Sequence, residues 1–268
     1  KVVSPGAIEA YKSALKLDPK QSEALATKAF ITQISSYDYE AAGKLYQKAI
    51  TSADNANALT AYALFYLAHI DQLPLAIRLF TEAEIRDPLH AGNMASLAYL
   101  LLRNGEVQAA ISKANEVLEL NPGHTLGYMV LIEAHIDSGN YAAAKFVLDS
   151  IPEDLKRRPR ILVRAGMYYA ATNDEAKARK IYEELVENHP PHGLLQLAAL
   201  AVDLGEVEQA IDLMEREVEQ QTWSQFWARD YYRHEEAVKN NPRYLALLQR
   251  IGLDDESVEA LNERMSFN

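Results

Sequence analysis

Residues 97–122 read LAYLLLRNGEVQAAISKANEVLELNP, and this stretch holds one complete example of a pattern that returns along the whole chain. Apolar residues recur at three- and four-residue spacings on both sides of Gly105, which predicts two amphipathic helices. Glycine accepts the left-handed backbone that a helix end needs, and Pro122 cannot continue the second helix. The stretch therefore predicts a helix, a glycine corner, a second helix and a proline corner.

The same pattern returns with a period of 34 residues. Small residues open the second helix of successive units at that spacing: Ala42, Ala76, Ala110, Ala144 and Ala178. Residues suited to the corner within each unit recur as well: Asp71, Gly105, Gly139 and Asn173 at a spacing of 34 residues, and Gly205 a further 32 residues on. A fixed period of this length is the sequence signature of stacked helix pairs, in which neighbours share one continuous core. We therefore expect an all-α protein.

The pattern resembles the tetratricopeptide repeat (TPR). In that family a small residue of the first helix (helix A) packs against an alanine that begins the second (helix B), with an aromatic residue four positions later. Ala98 with Ala110, and Gly166 with Ala178 and Tyr182, match this arrangement. The resemblance covers roughly residues 5–220 and implies a right-handed α–α superhelix, a TPR solenoid, of about six helix-pair repeats plus C-terminal capping helices.

This organisation divides the chain in two. Residues 1–221 are expected to form the solenoid, and residues 222–268 the capping helices of the same domain. Ser4 and Pro5 are typical of a helix start, but that first helix matches only the helix B position. We therefore interpret the first unit as incomplete and the chain as an excised fragment.

The composition excludes several functions for this fragment. Its 27 Lys and Arg against 38 Asp and Glu give a net charge of −11, which disfavours nucleic acid and anionic lipid. No apolar run is long enough for a membrane span, so no membrane insertion is expected. Cysteine is absent, which excludes disulfides and thiolate catalysis and is compatible with a cytoplasmic or a periplasmic part of a bacterial protein.

Catalytic motifs are also missing from the sequence. There is no Gly-rich phosphate loop, no Ser elbow and no His pair at metal spacing on one helix face. His189 and His192 flank a proline corner, but a zinc site would need further ligands there. We expect no enzyme activity, no cofactor and no metal.

The resemblance also implies where a partner binds, because bound peptides in this family lie along the concave face formed by the A helices. Aromatic, Met and Arg side chains are common interface anchors. The residues expected on this face are Phe30, Phe65, Tyr99, Arg103, Met129, Glu133, Asp137, Arg160, Arg164 and Met167, flanked by small residues that include Ala61. Alternatively, some of these side chains simply pack between neighbouring A helices.

Two further features of the sequence each have two interpretations: an aromatic stripe in the C-terminal region, and a basic corner earlier in the chain. Trp223, Phe226, Trp227 and Tyr231 have the spacing of one helix face, either a cap over the last repeat or a self-association patch. The corner at residues 151–159 contains Lys156, Arg157 and Arg158, and it is either a solvated loop or an anion site.

Residues 241–253 are similar to a tail that follows the repeats in bacterial signalling proteins with a winged-helix DNA-binding domain or a class III adenylyl cyclase domain. Three functions stay open. The first is a scaffold or sensor module of a bacterial signalling or transcription-regulatory protein that binds a peptide or partner domain. The second is a dimerisation module of a larger receptor. The third is a small-molecule sensor domain.

Overall fold

The computed structural model describes residues 4–51, 56–188, 194–232, 235–265 and 267, and all regular elements in these ranges are helical. The helices are α1 (Pro5–Leu17), α2 (Ser22–Ser36), α3 (Tyr39–Ala49), α4 (Ala56–Phe65), α5 (Leu73–Arg86), α6 (Ala91–Arg103), α7 (Val107–Leu120), α8 (Thr125–Asp137), α9 (Tyr141–Ser150), α10 (Glu153–Lys156), α11 (Pro159–Ala171), α12 (Glu175–Asn188), α13 (Leu194–Asp203), α14 (Val207–Glu219), α15 (Trp227–Tyr232), α16 (Pro242–Ile251) and α17 (Asp255–Arg264). Short 3-10 turns cover Leu67–His69 and Trp223–Phe226. Within the described ranges no helix is long and apolar enough to cross a membrane.

The corners predicted from the sequence are present in the structure. All five of the predicted corner residues have a positive φ: Asp71 (60°), Gly105 (80°), Gly139 (68°), Asn173 (59°) and Gly205 (77°). Tyr37 forms the equivalent corner between α2 and α3, with a φ of 55°. The sequence analysis did not identify this residue, because a bulky residue rarely adopts a positive φ. Helices A and B then pack in consecutive pairs, for example α2 with α3 and α6 with α7.

The chain forms two compact units. Unit 1 comprises residues 1–88, 218–234 and 239–268, and unit 2 comprises residues 89–217 and 235–238. Unit 1 therefore joins the first repeats to most of the C-terminal region, whereas unit 2 contains the repeats from α6 onward.

In unit 1, the A helices α2 and α4 pack side by side, but α4 ends early. Its last residue is Phe65, and the 3-10 turn Leu67–His69 follows before the corner at Asp71. Two side chains donate hydrogen bonds to backbone carbonyl groups in this irregular stretch. Gln33 Nε2 donates to the carbonyl of Phe65 at 2.6 Å, and Asn262 Nδ2 donates to that of Ile70 at 2.9 Å. These bonds offset the loss of regular helical hydrogen bonding.

In unit 2, the A helices α6, α8, α11 and α13 pack in a continuous row. Gly166 allows the closest approach in this row, since a Cβ atom there would lie 2.5 Å from Cδ2 of Leu200. The sequence analysis expected Gly166 to pack against Ala178 of its own repeat, whereas the nearest atoms to its Cβ position belong to Leu200 of the next A helix.

The C-terminal region differs from the expectation that it covers the last repeat. Residues 218–234 and 239–268 belong to unit 1, where they contact the corners of the first two complete repeats. Tyr37 Oη donates to Gln225 Oε1 at 3.1 Å, and Arg229 donates to both carboxylate oxygens of Asp71 at 2.7 and 2.8 Å. Contacts this far apart in the chain leave no periodic signal in the sequence, which is why periodicity alone could not predict them.

Local signals at the helix ends were read correctly. Ser4 Oγ accepts a hydrogen bond from the Ala7 amide, with Pro5 at the first helical position. Asp254 Oδ1 accepts a hydrogen bond from the Ser257 amide at the start of α17. The aromatic stretch expected to be one helix is instead the 3-10 turn Trp223–Phe226 followed by α15.

Candidate functional site

The A helices of unit 1 form an open groove with an apolar floor. A cavity of about 360 Å³ lies between the first half of α2 and the length of α4. Its lining residues, called here the unit 1 groove, are Glu23, Ala26, Thr27, Phe30, Asn57, Ala58, Ala61 and Phe65. The rings of Phe30 and Phe65 are half-buried and their centroids lie 5.1 Å apart in a tilted arrangement. The three alanines leave the space that large side chains would fill.

One side of this groove is polar. Asn57 Nδ2 donates to Glu23 Oε1 at 3.0 Å, so the amide and the carboxylate bridge the first turns of the two helices. Glu23 is the charged residue among the lining residues, and its side chain is exposed. The hydrogen bond holds the carboxylate at the rim of the groove and uses one of its two oxygens.

In unit 2, half of the expected groove residues are buried, and Asp137 is among the exposed ones. Met129 is 1% exposed, and Tyr99 is also buried. Met167 and Arg103 are half-buried, whereas Arg160 is exposed. For Met129 and Tyr99 the alternative interpretation applies, because their side chains fill the space between neighbouring helices instead of facing a partner.

Glu133 and Arg164 form an ion pair inside unit 2. Both side chains are buried, Arg164 to 1% exposure, and Arg164 Nη2 contacts Glu133 Oε1. An arginine withdrawn from water in this way requires a partner charge because desolvation of the ion is costly. The sequence analysis placed both residues on the partner-binding face, but the structure buries them against each other.

Three carboxylates lie around this ion pair: Asp137, Asp203 and Glu235. Desolvation, together with the charges of Glu133 and Glu235, raises the pKa of Asp137 to about 6, against the opposing effect of Arg103 and Arg164. Desolvation, followed by repulsion from Glu235 and Asp137, raises the pKa of Asp203 to about 7 even though its side chain remains accessible to water. Burial and neighbouring negative charges both disfavour the ionised form of a carboxyl group, and both therefore raise its pKa.

Two residues of the basic corner form an ion pair and a hydrogen bond within the chain. Lys156 Nζ pairs with Glu153 at 2.5 Å, and Arg158 Nη1 donates to Thr125 Oγ1 at 2.8 Å. Residues 153–156 form the short helix α10. These contacts favour the solvated corner over an anion site at this position.

Two of the four residues of the aromatic stripe, Phe226 and Trp227, are buried within unit 1. Phe226 is 0% exposed and Trp227 is 5% exposed within unit 1. The Trp227 ring packs edge-on against His69 with centroids 4.3 Å apart, and Phe226 packs against Tyr39 at 6.2 Å. The side chains of Trp223 and Tyr231 lie outside the described part of the chain. The contribution of Phe226 and Trp227 is thus to hold the C-terminal region in unit 1.

The sequence analysis named Phe30, Phe65 and Ala61 of the unit 1 groove but did not name Glu23 and Asn57, which form its polar rim. Glu23 lies seven residues before Phe30 and Asn57 eight before Phe65, which places each pair on one helical face. This register could have identified both rim residues. No comparable signal existed for Asp203 and Glu235, whose proximity depends on the tertiary structure.

The described residues contain no group of three or more potential metal ligands. His189 and His192, considered above for zinc, lie outside the described residues.

The helix pairs, the 34-residue period and the side-by-side packing of successive A helices define the class of helical repeat proteins. Three models of the tetratricopeptide repeat match residues 70–125, 101–164 and 161–192. Residues 70–192 are therefore similar in sequence to tetratricopeptide repeats. No sequence among the curated proteins matches the chain.

Solved structures with the same fold include several tetratricopeptide repeat proteins. PilF of Pseudomonas aeruginosa is 18% identical with a TM-score of 0.55, covering 76% of this chain and 89% of its own. PilW, described as a widely conserved type IV pilus biogenesis factor, is 17% identical with a TM-score of 0.58, covering 75% and 89%. Cut9, solved in a hetero-tetramer with Hcn1, is 19% identical with a TM-score of 0.58, covering 95% of this chain and 51% of its own. The predicted α–α solenoid class is confirmed.

Proposed function

We propose that this chain is a protein-interaction module that binds a segment of a partner polypeptide in the unit 1 groove. The observation that carries this proposal is the half-buried Phe30–Phe65 pair at the floor of an open cavity. Aromatic side chains exposed in a concave surface are the typical anchors of a binding site. Tetratricopeptide repeats in general serve as protein-binding scaffolds, which agrees with the fold neighbours.

The size and chemistry of the cavity suit a polypeptide better than a small polar metabolite. A volume of about 360 Å³ accommodates roughly one or two large side chains, near the lower limit of about 300 Å³ for small-molecule pockets. The groove is open along the helices, so a peptide backbone can lie in it while one side chain enters. A small-molecule sensor would need more convergent polar groups than Glu23, Thr27 and Asn57 supply.

The wider setting of the module is part of the same proposal. The similarity of residues 241–253 to the tail of bacterial winged-helix and cyclase-type regulators supports a place in a bacterial signalling or transcription-regulatory protein. In such a protein the groove would recruit or sense a partner on behalf of another domain. Homodimerisation is a weaker alternative, because Phe226 and Trp227 are already buried within the chain.

The test fills the cavity with a side chain of the protein itself. Ala61→Trp puts an indole into the groove, whereas Ala10→Trp puts the same ring on the exposed face of α1 as a matched control. Decapeptides selected from a randomised display library on the wild-type chain are then measured by fluorescence anisotropy. We expect Ala61→Trp to weaken their binding at least about tenfold, the loss of an interface anchor pocket, and Ala10→Trp to change it less than about twofold.

The opposite pattern would overturn the proposal. If selected peptides bind Ala61→Trp as tightly as the wild type, and its helical content and melting temperature are unchanged, their binding site lies elsewhere.

A further inference from the structure

The unit 1 groove combines an aromatic floor with an acidic rim. The floor is formed by Phe30 and Phe65, and the rim by Glu23 with its Asn57 partner. Because the bond from Asn57 uses one carboxylate oxygen, the other can accept a hydrogen bond from a cation without displacing it. A peptide cation at the rim would thus gain a charge-assisted bond in addition to the apolar contact at the floor.

The same unit already holds one polypeptide segment with this chemistry. In its own C-terminal region, Phe226 and Trp227 pack against Tyr39 and His69, and Arg229 pairs with Asp71. Two aromatic side chains and an arginine thus lie within four consecutive residues, set against an aromatic wall and a carboxylate. The corner of the repeats that binds this segment and the groove that remains open have the same two components.

The geometry of α2 fixes the spacing between the two components in the groove. Glu23 and Phe30 are seven residues apart on one face, which corresponds to about 10 Å along the helix axis. An extended peptide advances about 3.3 Å per residue, so about three residues cover that distance. The cation of a peptide lying along α2 therefore belongs about three positions from its apolar anchor.

We infer that the unit 1 groove recognises an extended segment carrying a bulky apolar side chain and an arginine or lysine three residues away. The inference rests on the proposed function, since it specifies the partner of the same groove. The net charge of −11 acts in the same direction, because it attracts basic segments over acidic ones.

Two displayed decapeptide libraries provide the test. Both fix a Phe and randomise the remaining positions, but one fixes Arg and the other Glu three residues from the Phe, in both chain directions. Selection on the wild-type chain is expected to enrich binders from the Arg library and few from the Glu library. Selected decapeptides are then synthesised with their Arg or with Gln in its place, and both forms are measured by anisotropy.

The variant Glu23→Gln identifies the group responsible. On the wild type, replacing the peptide Arg by Gln should weaken binding about threefold, as for an exposed charge pair, and less at high salt. On Glu23→Gln that difference should disappear. Glu9→Gln, which removes an exposed carboxylate of α1 outside the groove, should leave it unchanged.

The outcomes separate this inference from the proposed function. If Ala61→Trp abolishes binding but the Arg preference persists in Glu23→Gln, the groove binds peptides and the inference about its rim is wrong. If Glu-library peptides bind equally well, the inference is also wrong. If Ala61→Trp leaves binding intact, the proposed function itself fails.

Discussion

The A helices of the two units differ in whether side chains fill the space between neighbouring helices. In unit 1, Phe30 and Phe65 meet across alanines and leave a cavity between α2 and α4. In unit 2, the A helices bury Met129 and an Arg164–Glu133 ion pair. The repeat pattern assigns all these residues to the same helix type. Whether such a surface binds a partner therefore depends on whether neighbouring side chains fill the space between the helices.

The largest expected effect comes from breaking the buried ion pair of unit 2. Glu133→Leu or Arg164→Met alone should lower the free energy of unfolding by about 3–5 kcal/mol, because each removes the opposite charge that the other buried side chain contacts. The double variant should be less destabilised than the sum of the two, and often less than either alone. Urea unfolding followed by circular dichroism measures all three.

This prediction tests the contrast between the two units, because it assumes that Arg164 and Glu133 stabilise unit 2 and do not bind a partner. If the single variants unfold like the wild type but lose peptide binding, then Arg164 and Glu133 serve a partner and the contrast between the units is wrong.

A second prediction concerns the C-terminal region that covers the corners of unit 1. Arg229 is 2% exposed and donates to Asp71 and to Asp255, so Arg229→Met should cost about 2 kcal/mol through lost hydrogen bonds to charged groups. Arg264→Met removes an exposed pair with Glu40 and should cost less than about 0.5 kcal/mol. Urea unfolding compares both variants with the wild type.

The groove itself should be unaffected by the loss of Arg229. Peptide affinity within twofold of the wild type is expected for Arg229→Met under conditions where it is folded. A much larger loss would mean that the C-terminal region shapes the groove directly.

The close packing of unit 2 gives a smaller effect. Gly166→Ala forces a Cβ atom against Leu200, at a cost that outweighs the better helix propensity of alanine and leaves about 1 kcal/mol of net destabilisation. Gly6→Ala in α1, where a Cβ would meet no atom closer than 3.9 Å, should instead stabilise by up to about 1 kcal/mol. Thermal unfolding distinguishes them by sign, and a stabilised Gly166→Ala would show that α11 and α13 are less tightly packed than described.

The smallest expected effect depends on pH. The raised pKa of Asp203, about 7, means that the folded state binds more protons than the unfolded state between about pH 4 and pH 7. Its contribution to stability therefore falls as the pH rises through that window. Asp203→Asn removes the repulsion from Glu235 and Asp137 while keeping Arg164 in place.

The variant should match the wild type below pH 4 and be more stable at pH 8, by less than about 1 kcal/mol because the side chain is accessible to water. Melting temperatures from pH 4 to pH 8 measure this, with Glu119→Gln, an exposed carboxyl of α7, as the control. A difference independent of pH would show that Asp203 does not titrate in the range given.

Much of the fold could be predicted because its signals are local. Corner residues such as Asp71 and Asn173 adopt positive φ values as expected, whereas the close neighbour of Gly166 is Leu200 of α13 and not the expected Ala178. Helical period, turn residues and caps act over a few residues, so a single sequence contains them. Phe30 and Phe65 were expected on the surface of the A helices from the resemblance to tetratricopeptide repeats, and both line the unit 1 groove.

The remainder depends on which side chains meet in three dimensions. Arg164 was expected to face a partner, but Glu133 on a neighbouring A helix pairs with it, and no sequence spacing reveals that choice. Arg229 and Asp71 are separated by 158 residues, so the attachment of the C-terminal region to the first repeats was also beyond the reach of periodicity.

The most direct test of the central claim compares the two sets of A helices in one experiment. Amide hydrogen exchange is measured by mass spectrometry with and without a saturating selected decapeptide. The account predicts slower exchange in Ser22–Ser36 and Ala56–Phe65, the helices of the unit 1 groove, with little change in Thr125–Asp137 and Pro159–Ala171. Protection of the latter two helices without protection of the former would contradict it.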